Sequence, residues 1–224
     1  MDKKIIVTVL GLSLAAIVIG LMIPIEPVGQ VQVLPWQIEI TPQGKARVFG
    51  LIMGESRLQA AEQHFAAPAE ISLFKGMAGQ PPDEKMMIEA YFDKVSLGGL
   101  LAKAVLVLEV PQPEIEAIYQ RGARVSTLGD GTRKVSLAAA DLLALRSAPI
   151  ASLAYLPRVT LDAELLERRF GPANKRVQEP DSGTWHWQYP QKGLDVALDK
   201  NGHAVFQYVA PVHFGELISP FQLQ

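Results

Sequence analysis

The chain has no cysteine in its 224 residues, and that absence removes disulfides, thiolate metal sites, a cysteine nucleophile and lipid attachment through a lipobox cysteine. It also lacks an excess of either charge. Twenty-one basic and 23 acidic residues leave a net charge of −2, and they are spread along the chain, so the basic footprint of a nucleic-acid partner is missing. Histidine is scarce: His64, His186, His203 and His213 form no H-x-H or H-x-x-x-H pair that would turn two imidazoles toward one ion. No G-x-x-x-x-G-K-[ST] frame is present; LGDGTRK at 128–134 has the glycines and basic residues of a phosphate loop without the spacing, and reads as a hairpin turn. GES at 54–56 lacks the second glycine of a nucleophile elbow, so Ser56 is better used as a helix cap. The carboxylates Glu62, Glu114, Glu116, Asp162, Glu164 and Glu167 fall on the polar sides of predicted helices, where water accounts for them, and no pair is set apart as general acid and base. No catalytic residue, metal or cofactor is therefore expected.

What the chain does have begins at its start. After MDKK, residues 5–25, IIVTVLGLSLAAIVIGLMIPI, carry no charge, and as a helix they would extend roughly 31 Å, the thickness of a bilayer core. The run is longer than the apolar core of a secretory signal and no A-x-A-like cleavage site follows, so an uncleaved anchor is expected over a cleaved leader. Lys3 and Lys4 precede it and no basic residue follows until Lys45, which puts residues 1–4 in the cytoplasm and the rest outside. The expected location is a bacterial inner membrane, crossed once, with the C-terminal part in the periplasm. Gly11-x-x-x-Ala15 and Ala16-x-x-x-Gly20 are small-residue pairs of the kind that let helices dimerise in the membrane, a weak signal for a homodimer.

Residues 26–35 continue a proline-bearing stretch that reads as an extended tether. From Trp36 the patterns are those of a folded α+β domain. A hairpin around Pro42-Gln43-Gly44 leads to a helix ending at Phe65, then to three strands of period two, EISLFKG, MMIEAYF and AKAVLVLEV, with a helix after Pro113. A hairpin across Asp130-Gly131, a helix over LAAADLLALR and the extended stretch IASLAYLPRV follow. Thr160 can cap a helix over LDAELLERRF, which precedes a meander of KRVQ, TWHWQYP, LDVALDK and AVFQYV. The order helix, then strands, occurs twice: AEQHFAAPAE at 61–70 aligns with LERRFGPANK at 166–175, Phe65 over Phe170. Two helix-plus-antiparallel-sheet units are expected, 36–122 and 123–210, with a tail at 211–224.

Aromatics make up only 7% of the chain, so their density in TWHWQYP, residues 184–190, stands out. On a strand, Trp185, Trp187 and Tyr189 face one way while His186 and Gln188 face the other. If the turn at 191–193 pairs Tyr189 with Leu194, then Trp187 meets Val196 and Trp185 meets Leu198. That register predicts a core of Trp185, Trp187, Tyr189, Leu194, Val196 and Leu198 beneath Leu161, Leu165, Leu166 and Phe170. Phe65 is the corresponding core residue of the first unit. It turns His186, Gln188, Asp195 and Asp199 outward, as a solvated ladder or a partner-facing surface.

The helix ending in RFGPA, the strand WHWQY and the pair LDVALDKNGHAV resemble the BamE/SmpA family, and FGLIMGESRLQAAEQHF is a degenerate likeness of its helix start. Two such units in tandem are similar to the architecture of the β-lactamase-inhibitor protein, with helices packed on a curved sheet. The resemblance implies a small periplasm-facing module that binds an envelope protein without catalysis. Function is thus expected to be partner binding in envelope assembly or maintenance; an envelope hydrolase acting on wall glycan and a module for a small apolar ligand remain open.

Overall fold

The computed structural model describes residues 34–76, 86–122, 124–129 and 131–219, all within one compact unit, Val33–Gln224. The apolar run 5–25 and the possible small-residue dimer contacts within it lie outside the described residues. Among the described residues no helix is long and apolar enough to cross a membrane.

The domain is α+β, with mostly antiparallel sheets and a few short helices. A small three-stranded sheet comes first: β1 (Glu39–Ile40), β2 (Ala46–Val48) and β3 (Leu51–Ile52). Helix α1 (Leu58–Phe65) turns Leu58, Ala61 and Phe65 inward. It begins without a side-chain cap, because the Ser56 hydroxyl is used upstream, accepting from Ile52 N at 2.9 Å. Strands β4 (Glu70–Lys75), β5 (Met86–Leu97) and β6 (Leu100–Leu108) form a meander. Then come α2 (Gln112–Gln120), the hairpin β7 (Arg124–Thr127) and β8 (Arg133–Ser136), α3 (Ala139–Leu145) and β9 (Ile150–Pro157). Arg121 at the end of α2 grips the buried Asp141 carboxylate of α3 with both forks, the shortest contact 2.6 Å, a geometry that fixes one helix against the other. Helix α4 (Ala163–Phe170) is followed by β10 (Lys175–Gln178), β11 (Trp185–Tyr189), β12 (Leu194–Leu198) and β13 (Ala204–Val209), and α5 (Phe214–Ile218) closes the described chain. Asp162, rather than Thr160, caps α4, its carboxylate accepting from Leu165 N at 2.7 Å. An aspartate two residues nearer the first turn takes the free N–H and adds its charge to the positive end of the helix.

Ten strands make one antiparallel sheet in the order β10-β11-β12-β13-β9-β6-β5-β4-β8-β7. Two meanders therefore run inward from opposite sides and meet on β9, which pairs with β6 on one side and β13 on the other. The hairpin β7–β8, whose residues follow the expected division at 122/123, lies beyond β4, beside the strands of the first stretch. One face of the sheet carries the main core. There Phe65 packs edge-on against Phe92 at 5.1 Å between ring centres, and Phe170 packs on Phe206 at 5.7 Å and Tyr189 at 5.9 Å. Phe49, from the turn between β2 and β3, reaches Tyr155 and Tyr208 in the same layer.

The expected register of TWHWQYP holds: Trp185 pairs with Leu198, Trp187 with Val196 and Tyr189 with Leu194. Trp187, Tyr189, Leu194, Val196 and Leu198 are buried with Phe170, and Phe65 is buried under the first meander. Trp185 departs from expectation at 38% exposed. It stands at the start of a strand next to the sheet edge, and Arg176 of β10 lies over both indoles, 4.9 Å from the Trp187 ring centre and 5.4 Å from that of Trp185. A glycine is required where this hairpin closes: Gly193 has φ +61°, and a Cβ there would stand 2.1 Å from the Val209 carbonyl oxygen.

Candidate functional site

Two places in the second half of the domain gather the residues of interest, one on each face of the sheet. On the face opposite the core, the expected outward ladder is inside the protein. His186 is 1% exposed, Gln188 4% and Asp195 0%; of the four residues assigned to a partner-facing surface, Asp199 alone reaches solvent to any extent. Alternation predicted the correct face but not its covering. Two segments supply that covering. The loop between β10 and β11 returns across His186, and beyond β13 the chain turns under this face, where Phe214 and Ile218 pack with Val209 in an apolar cluster separate from the main core.

The buried polar residues form a continuous chain. The His186 Nδ1 lies 2.7 Å from an Asp195 carboxylate oxygen and its Nε2 lies 3.0 Å from a Glu179 oxygen. The Ser182 hydroxyl donates to the other Glu179 oxygen, and Ser182 Oγ in turn accepts from Thr184 N at 3.0 Å. A neutral imidazole has one donor and one acceptor, whereas ionised carboxylates only accept, so two flanking carboxylates select the imidazolium. Burial opposes that charge, but the hydrogen bonds and charges of Asp195 and Glu179 outweigh it and raise the His186 pKa above its ordinary value. The Ser182 bond, and then His186, hold Glu179 below the usual carboxylate range against the opposing effect of burial. Such a chain suits a structural clamp and not a hydrolase. Ser182 bonds to a carboxylate, and neither imidazole nitrogen is left to accept a proton from a nucleophile.

Other candidates have equally local roles. Asp199 accepts from the backbone N–H groups of Asn201 and His203 and lies 2.9 Å from His203 Nδ1; these bonds, the His203 side chain first, hold it at about 2. His213 pairs with Glu216. Glu62 faces Arg146 and accepts from Ala69 N, Glu167 pairs with Arg176, and Glu164 with Arg168. Among the described residues no three His, Asp or Glu side chains are arranged to hold a metal ion.

The second place is a cleft on the core face, between α4 and the sheet. It is a small hollow of about 30 Å³, partly open to solvent, and apart from Tyr155 and Arg169 every side chain lining it is apolar. Leu161, Leu165 and Leu166 of the α4 region form one wall; Tyr155 and Phe206 form the floor; Pro35 and Trp36 close one side. The leucines expected to cover the tryptophan stripe thus divide: Leu166 is buried, while Leu161 and Leu165 remain half-buried along the cleft. Pro35 is held there by Tyr208, whose hydroxyl donates to its carbonyl at 2.9 Å. Arg169 lies over the Trp36 ring at 4.7 Å. Tyr155 is fully buried, its hydroxyl has no hydrogen-bond partner among the described residues, and burial pushes its pKa up to about 12. The α4 C-terminus at the end of this wall is well satisfied, Tyr189 Oη donating to Gly171 O and Lys192 Nζ to Phe170 O.

No protein-family model matches the chain, and no curated protein matches it. Among solved structures, a DUF4309 family protein (YjgB) from Bacillus subtilis subsp. subtilis str. 168 is similar at 12% identity and a TM-score of 0.34, covering 75% of this chain and 88% of that one. A similarity of that size carries no argument about what this domain does.

The cleft was not readable from the sequence. Leu161 and Leu165 each carried a signal for burial, but nothing in a linear pattern distinguishes a residue that fills a core from one that lines a gap in it.

Proposed function

We propose that this chain is a non-catalytic binding module, tethered to a bacterial inner membrane through residues 5–25, whose periplasmic domain serves envelope assembly or maintenance. The observation that carries the binding reading is the contrast between the two sites. In the polar cluster around His186 both imidazole nitrogens are engaged within the protein, whereas the cleft beneath α4 is a shallow, partly open apolar hollow of about 30 Å³. Binding is therefore read at the cleft, and the outward ladder is withdrawn as the partner surface.

The duplicated-unit reading is supported by the way Phe65 and Phe170 each end a helix and each pack on an aromatic of the meander that follows, Phe92 and Phe206. Both helices also end in a positive-φ residue, Ala66 and Gly171. These parallels favour the tandem BamE/SmpA-like reading and, with it, a protein partner as the general class of ligand. A photo-crosslinking residue placed at Val159, on the cleft, and at Leu143, an exposed position on α3, tests the proposal in intact cells. A reproducible adduct at Val159 and none at Leu143 is expected. No adduct at Val159, or turnover of a wall glycan by the purified chain, would refute it.

A further inference from the structure

The two central strands of the sheet are apolar on both sides. In β6, Ala104, Leu106 and Leu108 are buried in the core, while Leu101, Val105 and Val107 alternate onto the opposite side. In β9, Leu153 and Tyr155 face the core, and Ala154 and Leu156 point away from it, as does Val205 of β13. The register sets Val105 beside Ala154 and Lys103 beside Leu156, so these outward side chains adjoin. Strands with water on one side alternate apolar and polar residues, whereas near-continuous apolar runs belong to strands covered on both. Here only one side is covered. Among the described residues, the outward side chains pack neither into the main core nor into the cluster of Val209, Phe214 and Ile218 at the far end of this side, and Leu101 is 57% exposed.

The charges around this surface indicate what covers it. Lys103 and Arg158 both reach Asp93, at 3.8 and 3.9 Å, and Lys134 holds Glu70 at 2.7 Å. Glu89, half-buried on the same side, also lies in the field of Lys134. Cations and carboxylates are thus balanced, and no field of one sign is left to draw a charged protein or an anionic bilayer. An apolar face without net charge matches the interfaces of homodimers, the most apolar class. Shape points the same way. Sheets pack face to face within about 30° because each is twisted, and a second copy brings the same twist. Four strands, β5, β6, β9 and β13, about 4.8 Å apart and roughly eight residues long at about 3.3 Å each, make a face of about 500 Å². Two such faces bury about 1,000 Å², the floor for a specific interface, which fits a reversible dimer.

We propose that two copies of this chain pack face to face across β5, β6, β9 and β13, on the side of the sheet away from α4. The pairing is two-fold, so Val105 and Ala154, at the middle of the face, approach their own counterparts. The contact is separate from the cleft, which lies on the other side, and it stands or falls without it.

The test exploits the lack of cysteine: a single introduced cysteine has no partner within the chain. Val105→Cys and Ala154→Cys, each made in the full chain and oxidised with copper phenanthroline in intact cells, should give a disulfide dimer on a non-reducing gel. The yield should be roughly fivefold that of Leu143→Cys, an exposed position on α3 that reports random collision, because a standing contact raises the effective concentration of the two thiols. Sedimentation of the purified full chain in detergent should show a monomer–dimer equilibrium. Val105→Lys, which carries an unpaired charge into the interface, should weaken it roughly tenfold. Leu101→Lys, at a position already open to water, should also weaken it and serves alone if Val105→Lys lowers the melting temperature. No excess of disulfide at either cysteine position overturns the proposal, as does a chain that sediments as a monomer at every concentration. A dimer that both lysine variants leave unchanged places the contact elsewhere and overturns it too, and so does a disulfide from Val105→Cys to a different protein in place of the dimer.

Discussion

The two faces of the sheet at β11 and β12 are both buried, but for opposite reasons. On one, Trp187, Tyr189, Leu194 and Val196 lie under α4, and their burial removes a large apolar area from water, worth about 25 cal/mol per Å². On the other, His186, Gln188 and Asp195 are as deeply enclosed, yet burying such groups costs free energy unless each finds a partner. The first face stabilises by packing alone. The second is tolerated because Glu179 and Asp195 flank His186, and it fixes the loop 179–184 in one place. A domain of this size can therefore carry a stabilising face and a specifying face on the same pair of strands.

The largest expected effect belongs to the apolar face. Trp187→Ala should lower unfolding stability by roughly 3–5 kcal/mol, as a large-to-small change in a well-packed layer. Urea denaturation of the variant measures it, and an unchanged midpoint would remove Trp187 from the core.

The polar face should respond differently to one change than to two. Asp195→Ala leaves a buried imidazolium with half its partners and should cost about 3 kcal/mol, the range found when one member of a buried pair is removed. The double variant His186→Leu, Asp195→Leu removes the charge together with its partner and should cost less than Asp195→Ala alone. A double variant worse than the single would mean that the polar chain contributes net stability. His186→Ala is expected to destabilise, because the ring is enclosed.

These two faces also separate what a linear pattern can and cannot reveal. Period-two alternation gave the register of Trp185, Trp187 and Tyr189 against Leu198, Val196 and Leu194, because the side chains of a strand must alternate and the turn at 191–193 leaves only one pairing that matches the apolar faces. The same alternation placed His186 and Asp195 together on the other face. Their burial depends on a loop and a C-terminal segment that return from elsewhere, and no local period records what another segment covers. The helix caps show a limit on a smaller scale: Thr160 and Asp162 both stand near the start of α4 and Ser56 near that of α1, and the hydrogen bonds each side chain makes decided which was used. The antiparallel strands and short helices were legible, as was the burial of Phe65 and Phe170. The joining of both meanders on β9 was not, since pairing between strands separated by dozens of residues leaves no trace in their composition.

A pH titration should distinguish the faces without any mutation. His186 has a raised pKa in the folded state, so its contribution is complete below its unfolded value near 6.5 and is lost as pH rises through the higher folded value. Glu179 has a lowered pKa, so its contribution is present above its unfolded value near 4.5 and is lost as pH falls through the lower folded value. The clamp is thus fully engaged between those two unfolded values, and stability should decline on the alkaline side. Melting temperature measured from pH 6 to pH 9 should fall more in wild type than in His186→Gln. Equal slopes would show that the ring does not carry the proton.

The smallest effect should come from Trp185, two residues from Trp187 on the same face. Sequence periodicity treats the two as equivalent, and a core of three stacked aromatics would make Trp185→Ala nearly as damaging as Trp187→Ala. The structure separates them by position in the sheet. Trp185 stands at the start of β11 and is over a third exposed, with Arg176 lying against it. Truncation there removes a partly solvated surface and a cation–π contact, worth about 0.5–1 kcal/mol at an exposed site. A total loss of about 1 kcal/mol is expected in the same urea series. Arg176→Gln removes this contact together with those to Trp187 and Glu167, so combined with Trp185→Ala it should cost less than the two single losses added. A loss from Trp185→Ala approaching that of Trp187→Ala would mean that the buried apolar face extends to the start of β11.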